Sequence, residues 1–142
     1  MPTSKSTATW EGKLKDGKGK FAAGSGAFQG PYTFKTRFEG APGTNPEELL
    51  AAAEAACFSM ALSGACEKAG HPAATLETSA ACTIDMINGV PTITKMELAV
   101  KGKVPGLDQA AFAKLAEETK KGCPVSRALA GIPNLSVAAT LT

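Results

Sequence analysis

The stretch from Asn45 to Pro72 constrains the fold more than any other part of this chain. It opens Asn45-Pro46-Glu47-Glu48, in which Asn45 can cap a helix, Pro46 suits the first helical position and Glu48 can close a capping box. It closes Ala69-Gly70-His71-Pro72, where glycine takes the left-handed cap and proline cannot continue the helix. The helix predicted between these signals ends at about Lys68. Its body is built almost wholly of small residues: Ala51, Ala52, Ala53, Ala55, Ala56, Ser59, Ala61, Ser63, Gly64 and Ala65. Small side chains let a neighbouring helix approach closely, so this element is expected to be central and buried on more than one side.

The flanking segments read as strands and shorter helices. Ser4 to Trp10 is β-prone, a glycine-rich basic turn follows through Lys20, and a second extended segment covers Phe21 to Phe28. After Gly30-Pro31, the run Tyr32-Thr33-Phe34-Lys35-Thr36-Arg37-Phe38 alternates aromatic and polar residues. That pattern predicts a half-buried strand with Tyr32, Phe34, Thr36 and Phe38 on one face and Arg37 on the other. Gly40 to Thr44 is a loop. Thr75 to Ile87 and Pro91 to Lys101 alternate as two strands joined at Asn88-Gly89, a strong hairpin signal. Asp108 caps a helix with an apolar stripe of Ala111, Phe112, Leu115 and Ala116 that ends at Gly122. A short helix starts at Cys123-Pro124 and runs to Ala130, and Asn134 to Leu141 is the last strand. Strands, helix, strands, helices and strand in that order indicate an α+β fold, and 142 residues fit a single domain over 1–142.

Composition narrows the function classes. The net charge is +2 with dispersed lysines, which gives no electrostatic footprint for nucleic acid or an anionic membrane. No run is read as the roughly 20 apolar residues of a membrane span, and the N-terminal Met-Pro-Thr-Ser-Lys-Ser-Thr lacks a signal-peptide core. A cytoplasmic protein without membrane attachment is the expectation. The four cysteines, at 57, 66, 82 and 123, form no Cys-x-x-Cys pair and have one histidine, His71, to join them. That spacing argues against zinc or any other metal site, and against a static disulfide framework. The glycines at 17, 19, 24 and 26 do not lead into a helix as a phosphate loop would. His71 reads as a turn residue before proline rather than a base, which weakens a Cys-His hydrolase.

Thiol chemistry is what remains. Cys57, in Glu-Ala-Ala-Cys-Phe-Ser-Met-Ala, would on its own be an inert core thiol. It becomes a nucleophile if a cation stabilises its thiolate, and Arg37 is the candidate. Arg37 alone is a solvated charge, and Glu47 and Glu48 alone are first-turn acids that suit the helix dipole. A short loop separates Arg37 from Glu47, however, so a bidentate pair between them is geometrically easy. Glu47 lies about 15 Å along the helix from Cys57 at the standard rise, so the two cannot share a site within one straight helix. A cooperating acid must come from a second subunit whose helix runs antiparallel alongside. Cys123, in Gly-Cys-Pro-Val-Ser, is either a plain helix-start residue or a thiol whose sulfur faces backbone N–H groups at the positive end of a helix. Cys66, nearly opposite Cys57 on the helix, and Cys82, in mid-strand, read as passive thiols.

At these residues the chain resembles the family of osmotically inducible protein C and the organic hydroperoxide resistance proteins. The resemblance is carried by Thr36-Arg37-Phe38-Glu39-Gly40, Gly43-Thr44-Asn45-Pro46-Glu47-Glu48-Leu49, Ala55-Ala56-Cys57-Phe58-Ser59-Met60-Ala61-Leu62 and Gly122-Cys123-Pro124-Val125-Ser126, and runs over essentially the whole chain. The setting of Arg37 is similar to the osmotically inducible branch. The resemblance implies an intertwined homodimer, with a long central helix packed against antiparallel sheet and two sites at the subunit interface. It also implies a peroxidase acting on organic hydroperoxides, with Cys57 as the peroxidatic thiol, Cys123 as the resolving thiol, Arg37 stabilising the thiolate and Glu47 orienting Arg37. No bound cofactor is implied, only an external dithiol reductant of the lipoyl type. Phe38, Phe58 and Met60 are expected to line an apolar substrate pocket. The competing readings are a non-catalytic stress-related binding protein whose cysteines only pack, and a thiol hydrolase.

Overall fold

A computed structural model describes residues 1–142. The elements are β1 Ser6–Glu11, β2 Lys18–Ala23, β3 Gln29–Tyr32, α1 Phe34–Phe38, α2 Pro46–Lys68, β4 Thr75–Ile87, β5 Val90–Lys103, α3 Gln109–Gly122, α4 Pro124–Ala128 and β6 Asn134–Leu141. They fall into two compact units, Met1–Leu49 and Leu50–Thr142.

In the first unit β1, β2 and β3 form an antiparallel meander in that order, with Ser6 opposite Ala23 and Gly19 opposite Tyr32. The strand expected over Tyr32 to Phe38 is corrected: β3 stops at Tyr32 and the following residues are helical. The cause is local. Thr33 and Thr36 form a reciprocal capping box, in which the Thr36 N–H donates to Thr33 Oγ1 and the Thr33 N–H donates to Thr36 Oγ1. Phe34 and Phe38, four apart, then pack with tilted rings, centroids 4.9 Å apart, on one helix face. The loop that follows turns on Gly40 (φ +65°) and Gly43 (φ +136°), conformations that side chains resist. Asn45 ends it by donating from Nδ2 to the Thr36 carbonyl and accepting at Oδ1 from the Glu48 N–H.

The second unit holds a sheet in the order β4-β5-β6. β4 and β5 are antiparallel through the Asn88-Gly89 turn, where both residues have positive φ (52° and 80°) as a type I′ hairpin requires. β5 and β6 are parallel, so the sheet is mixed, which corrects the expectation of an antiparallel one. A parallel pair needs a crossover connection, and α3 and α4 supply it. Along β5, Met96, Leu98, Val100 and Gly102 face inward while Glu97, Ala99, Lys101 and Lys103 face out. Phe58, Leu62 and Cys66 of α2 join Leu98, Val100, Val104, Phe112 and Ala116 in one core. Gly102 lacks a side chain where a Cβ would lie 2.4 Å from the Phe112 ring, so the ring seats directly on the strand.

α2 begins at the predicted cap and ends at Lys68, followed by Gly70 at φ +82°. One expectation about it is corrected, that no stretch of the chain is long and apolar enough to span a membrane. Within one chain its buried residues are Glu47, Glu54, Phe58, Leu62 and Cys66, largely at four-residue spacing, whereas Ala52, Ala53, Ala56, Met60 and Ser63 are exposed. It is therefore buried along one side. It is also long and apolar enough, by length and composition, to cross a membrane. Alanines that look merely small one at a time add up to a 23-residue element that is apolar in its middle, with charges at Glu47, Glu48 and Glu54 and at its Glu67-Lys68 end.

Candidate active site

Cys57 and Cys123 meet. Cys57 is half-buried on α2, next to the fully buried Phe58. Cys123 occupies the joint between α3 and α4: its N–H donates to the Thr119 carbonyl at 2.8 Å, closing α3, and its own carbonyl accepts from the Arg127 N–H at 2.9 Å. Backbone bonds to both helices hold its side chain inward, fully buried. The Cys123 thiol donates to Cys57 Sγ at 3.1 Å, and both thiols are free. A disulfide is about 2.05 Å long, so the sulfurs need to approach by roughly 1 Å to bond.

The electrostatics within this unit oppose ionisation. Burial pushes the Cys57 thiol above its ordinary value; the Cys123 thiol and the Glu54 carboxylate push it further, and a hydrogen bond from the Val125 N–H pulls it down. The Val125 bond revises one expectation. Cys123 starts α4, but its side chain takes no capping hydrogen bond from that helix, and the N–H at the second helical position serves Cys57 instead. Burial also pushes up the thiol of Cys66, which lies in the core.

Cys57 and Cys123 are among the residues around an open groove of about 520 Å³, with Met60, Ala61, Gly64 and Leu115 also in its walls. Met60 is 76% exposed there. Phe58 is not on the groove. One residue along the helix turns a side chain by about 100°, which carries Phe58 into the core, and this corrects its expected lining role. His71, the only histidine, packs at the turn after α2 with Nδ1 3.3 Å from the Pro105 carbonyl.

The second predicted pair forms in the first unit. Arg37 Nε lies 3.0 and 3.3 Å from the two Glu47 oxygens, and Nη2 lies 2.8 Å from Oε1, so the guanidinium grips the carboxylate with two nitrogens. The Glu47 side chain is 5% exposed and that of Arg37 36%, which leaves the cation accessible and its anchor hidden. Phe38 lies under the guanidinium carbon, 5.2 Å from centroid to Cζ. The capping box and Asn45, described above, fix the loop ends that bring the pair together.

Sequence reasoning does not single out three residues near the sulfurs, Glu54, Ser126 and Thr119. Glu54 is fully buried, and Ser126 Oγ donates to its Oε1; its Oε2 has no hydrogen-bond partner. The signal in the sequence was the lone charge in the small-residue run, three residues before Cys57. Thr119 on α3 is likewise buried with an unpartnered hydroxyl.

The chain is similar to known proteins in sequence and fold. Residues 38–138 match the model of a family described as OsmC-like protein. Over 126 residues the chain is 47% identical to Peroxiredoxin OsmC of Escherichia coli (strain K12), covering 88% of each protein. It is 34% identical to the organic hydroperoxide resistance protein of Xanthomonas axonopodis pv. citri (strain 306), over 72% of this chain and 69% of that one. Among solved structures, the organic hydroperoxide resistance protein OhrB of Bacillus subtilis superposes with a TM-score of 0.73 at 26% identity, covering 99% of this chain and 98% of that one.

Proposed function

Because the chain belongs to the OsmC-like protein family, we propose that it is a thiol-dependent peroxidase that reduces organic hydroperoxides to alcohols. The observation that carries this reading is the 3.1 Å approach of two free thiols, one of them facing a groove. In the proposed cycle the Cys57 thiolate attacks one peroxide oxygen, the O–O bond breaks, and the departing alkoxide takes a proton to become the alcohol. Cys57 is left as sulfenic acid. The Cys123 thiol then attacks that sulfur, forming a disulfide and releasing water that carries the thiol proton. An external dithiol, of the lipoyl type by family resemblance, reduces the disulfide and is itself oxidised.

Arg37 and Glu47 enter as the activating pair. Burial disfavours the Cys57 thiolate, and an arginine brought to it opposes that effect. Glu47 and Cys57 are ten residues apart on one helix, so we assign the arginine and glutamate of each site to the second chain of an intertwined homodimer, with residues 1–142 acting as one functional domain. The exposed Ala52, Ala56 and Met60 of α2 support a helix-to-helix contact, since small residues permit close approach and exposed apolar ones favour burial. Phe38 and Met60 are then the apolar contacts for an organic peroxide.

The test is consumption of cumene hydroperoxide, tert-butyl hydroperoxide and hydrogen peroxide with a dithiol donor, alongside thiol titration. The proposal expects preference for the two organic substrates and loss of two thiols per chain. Stoichiometric retention of all four thiols in excess organic peroxide would refute it.

A further inference from the structure

We propose that Glu54 and Ser126 are positioning residues, which hold Cys123 in hydrogen-bond contact with Cys57 so that a small approach forms the disulfide. The two contacts are a matched pair. Glu54 precedes Cys57 by three residues on α2, and Ser126 follows Cys123 by three residues on α4. One turn of each helix therefore separates the carboxylate–hydroxyl contact from the sulfur–sulfur contact, and both join α2 to α4.

α4 packs Val125 against the core and is joined to α3 through Cys123, and the Ser126–Glu54 contact is the side-chain hydrogen bond that ties it to α2. α4 is five residues long and begins without a side-chain cap. Such a short helix has little stability of its own, so its place over α2 depends on what it touches. α2 in turn is tied to the sheet by its buried row and by the Ser59–Thr78 hydroxyl pair at 2.7 Å. Glu54 to Ser126 completes a chain of contacts from β4 through α2 to α4. A buried carboxylate with one oxygen unpartnered is costly to keep, and it also disfavours the Cys57 thiolate that the proposed chemistry needs. A residue that opposes activation and yet makes the one side-chain hydrogen bond to α4 at this point is accounted for by what it holds in place.

The inference uses the proposed peroxidase only for what the positioning serves, because the quantity that tests it involves no peroxide. The Cys57 and Cys123 thiols together reduce one oxidised glutathione to two reduced glutathiones and become a disulfide. The glutathione ratio at half-oxidation measures how readily the two sulfurs meet in the folded protein. Ser126→Ala should shift that ratio about tenfold toward the dithiol, the scale of one hydrogen bond's net worth. Glu54→Gln keeps an acceptor for the Ser126 hydroxyl and should stay within about threefold of the parent protein. Since Ser126→Ala strands a buried carboxylate, the double variant Glu54→Met/Ser126→Ala removes both polar partners together and should keep its fold while showing the same shift. A role in global stability alone would lower the unfolding midpoint without moving the ratio. Parent-like ratios in folded Ser126→Ala and in the double variant would overturn the inference, as would an equal loss in Glu54→Gln. A protein with the expected ratios and no peroxide turnover would refute the proposed function while sustaining the positioning role.

Discussion

At the scale of single residues, the two sulfurs divide the proposed reaction between them. Cys57→Ser exchanges a thiol for a hydroxyl of similar size that scarcely ionises, so the fold should persist while dithiol-dependent turnover falls by about a thousandfold or more. Cys123→Ser should allow the first oxidation and stop there, and dimedone should then label Cys57 as a sulfenic acid. Normal cycling of the Cys123 variant without labelling would remove it from the resolving role. Cys66 gives a prediction of a different kind. Burial raises its thiol above the ordinary value, so the folded state holds that proton more tightly than the unfolded chain. The resulting stability is fully present below the unfolded thiol's pKa, about 8.5, and is lost as pH rises through the higher folded value. Under reducing conditions Cys66→Ala should be less stable at neutral pH, because it leaves a small cavity, but should lose less on going from pH 8 to pH 10. Parallel alkaline limbs in urea unfolding would contradict a buried thiol at this position.

At the scale of elements, the hairpin shows how a local pattern fixes geometry. Asn88 sits at φ +52° and Gly89 at +80°. Asn88→Ile should cost about 1–2 kcal/mol, since a β-branched residue resists the left-handed region, whereas Asn88→Gly should be near neutral; thermal unfolding distinguishes them. That turn was legible because its two residues state the turn type themselves, and α2 was legible because its caps are contiguous in sequence. Phe34 to Phe38 was not legible as a helix, because two apolar residues four apart satisfy both the period of a strand and that of a helix. The choice lay with the Thr33–Thr36 hydroxyls, which side-chain periodicity does not register. The Arg37–Glu47 pair was readable across its short loop. Glu54 and Ser126, 72 residues apart, were not, because the crossover through α3 and α4 that brings them together is a property of the whole sheet. The parallel pairing of β5 with β6 was hidden for the same reason.

At the scale of the whole molecule, the homodimer proposal makes a claim about complementation. Chains carrying Cys57→Ser and chains carrying Arg37→Ala, refolded together, should yield heterodimers with one intact site and one doubly defective site. Activity should then partly return, to about half the parent activity per heterodimer at most. No recovery, with heterodimers confirmed by native mass spectrometry, would exclude sites shared between chains. The 66-residue separation of the two sulfurs has a further consequence. A covalent link between them closes a long loop, which restricts the unfolded chain by about 4 kcal/mol in the chain-entropy description. The peroxide-oxidised protein should therefore melt at a higher temperature than the reduced one, and the difference should vanish in Cys123→Ser. Oxidant would then harden the molecule that removes it, leaving the form that awaits its reductant the more resistant to heat and proteolysis.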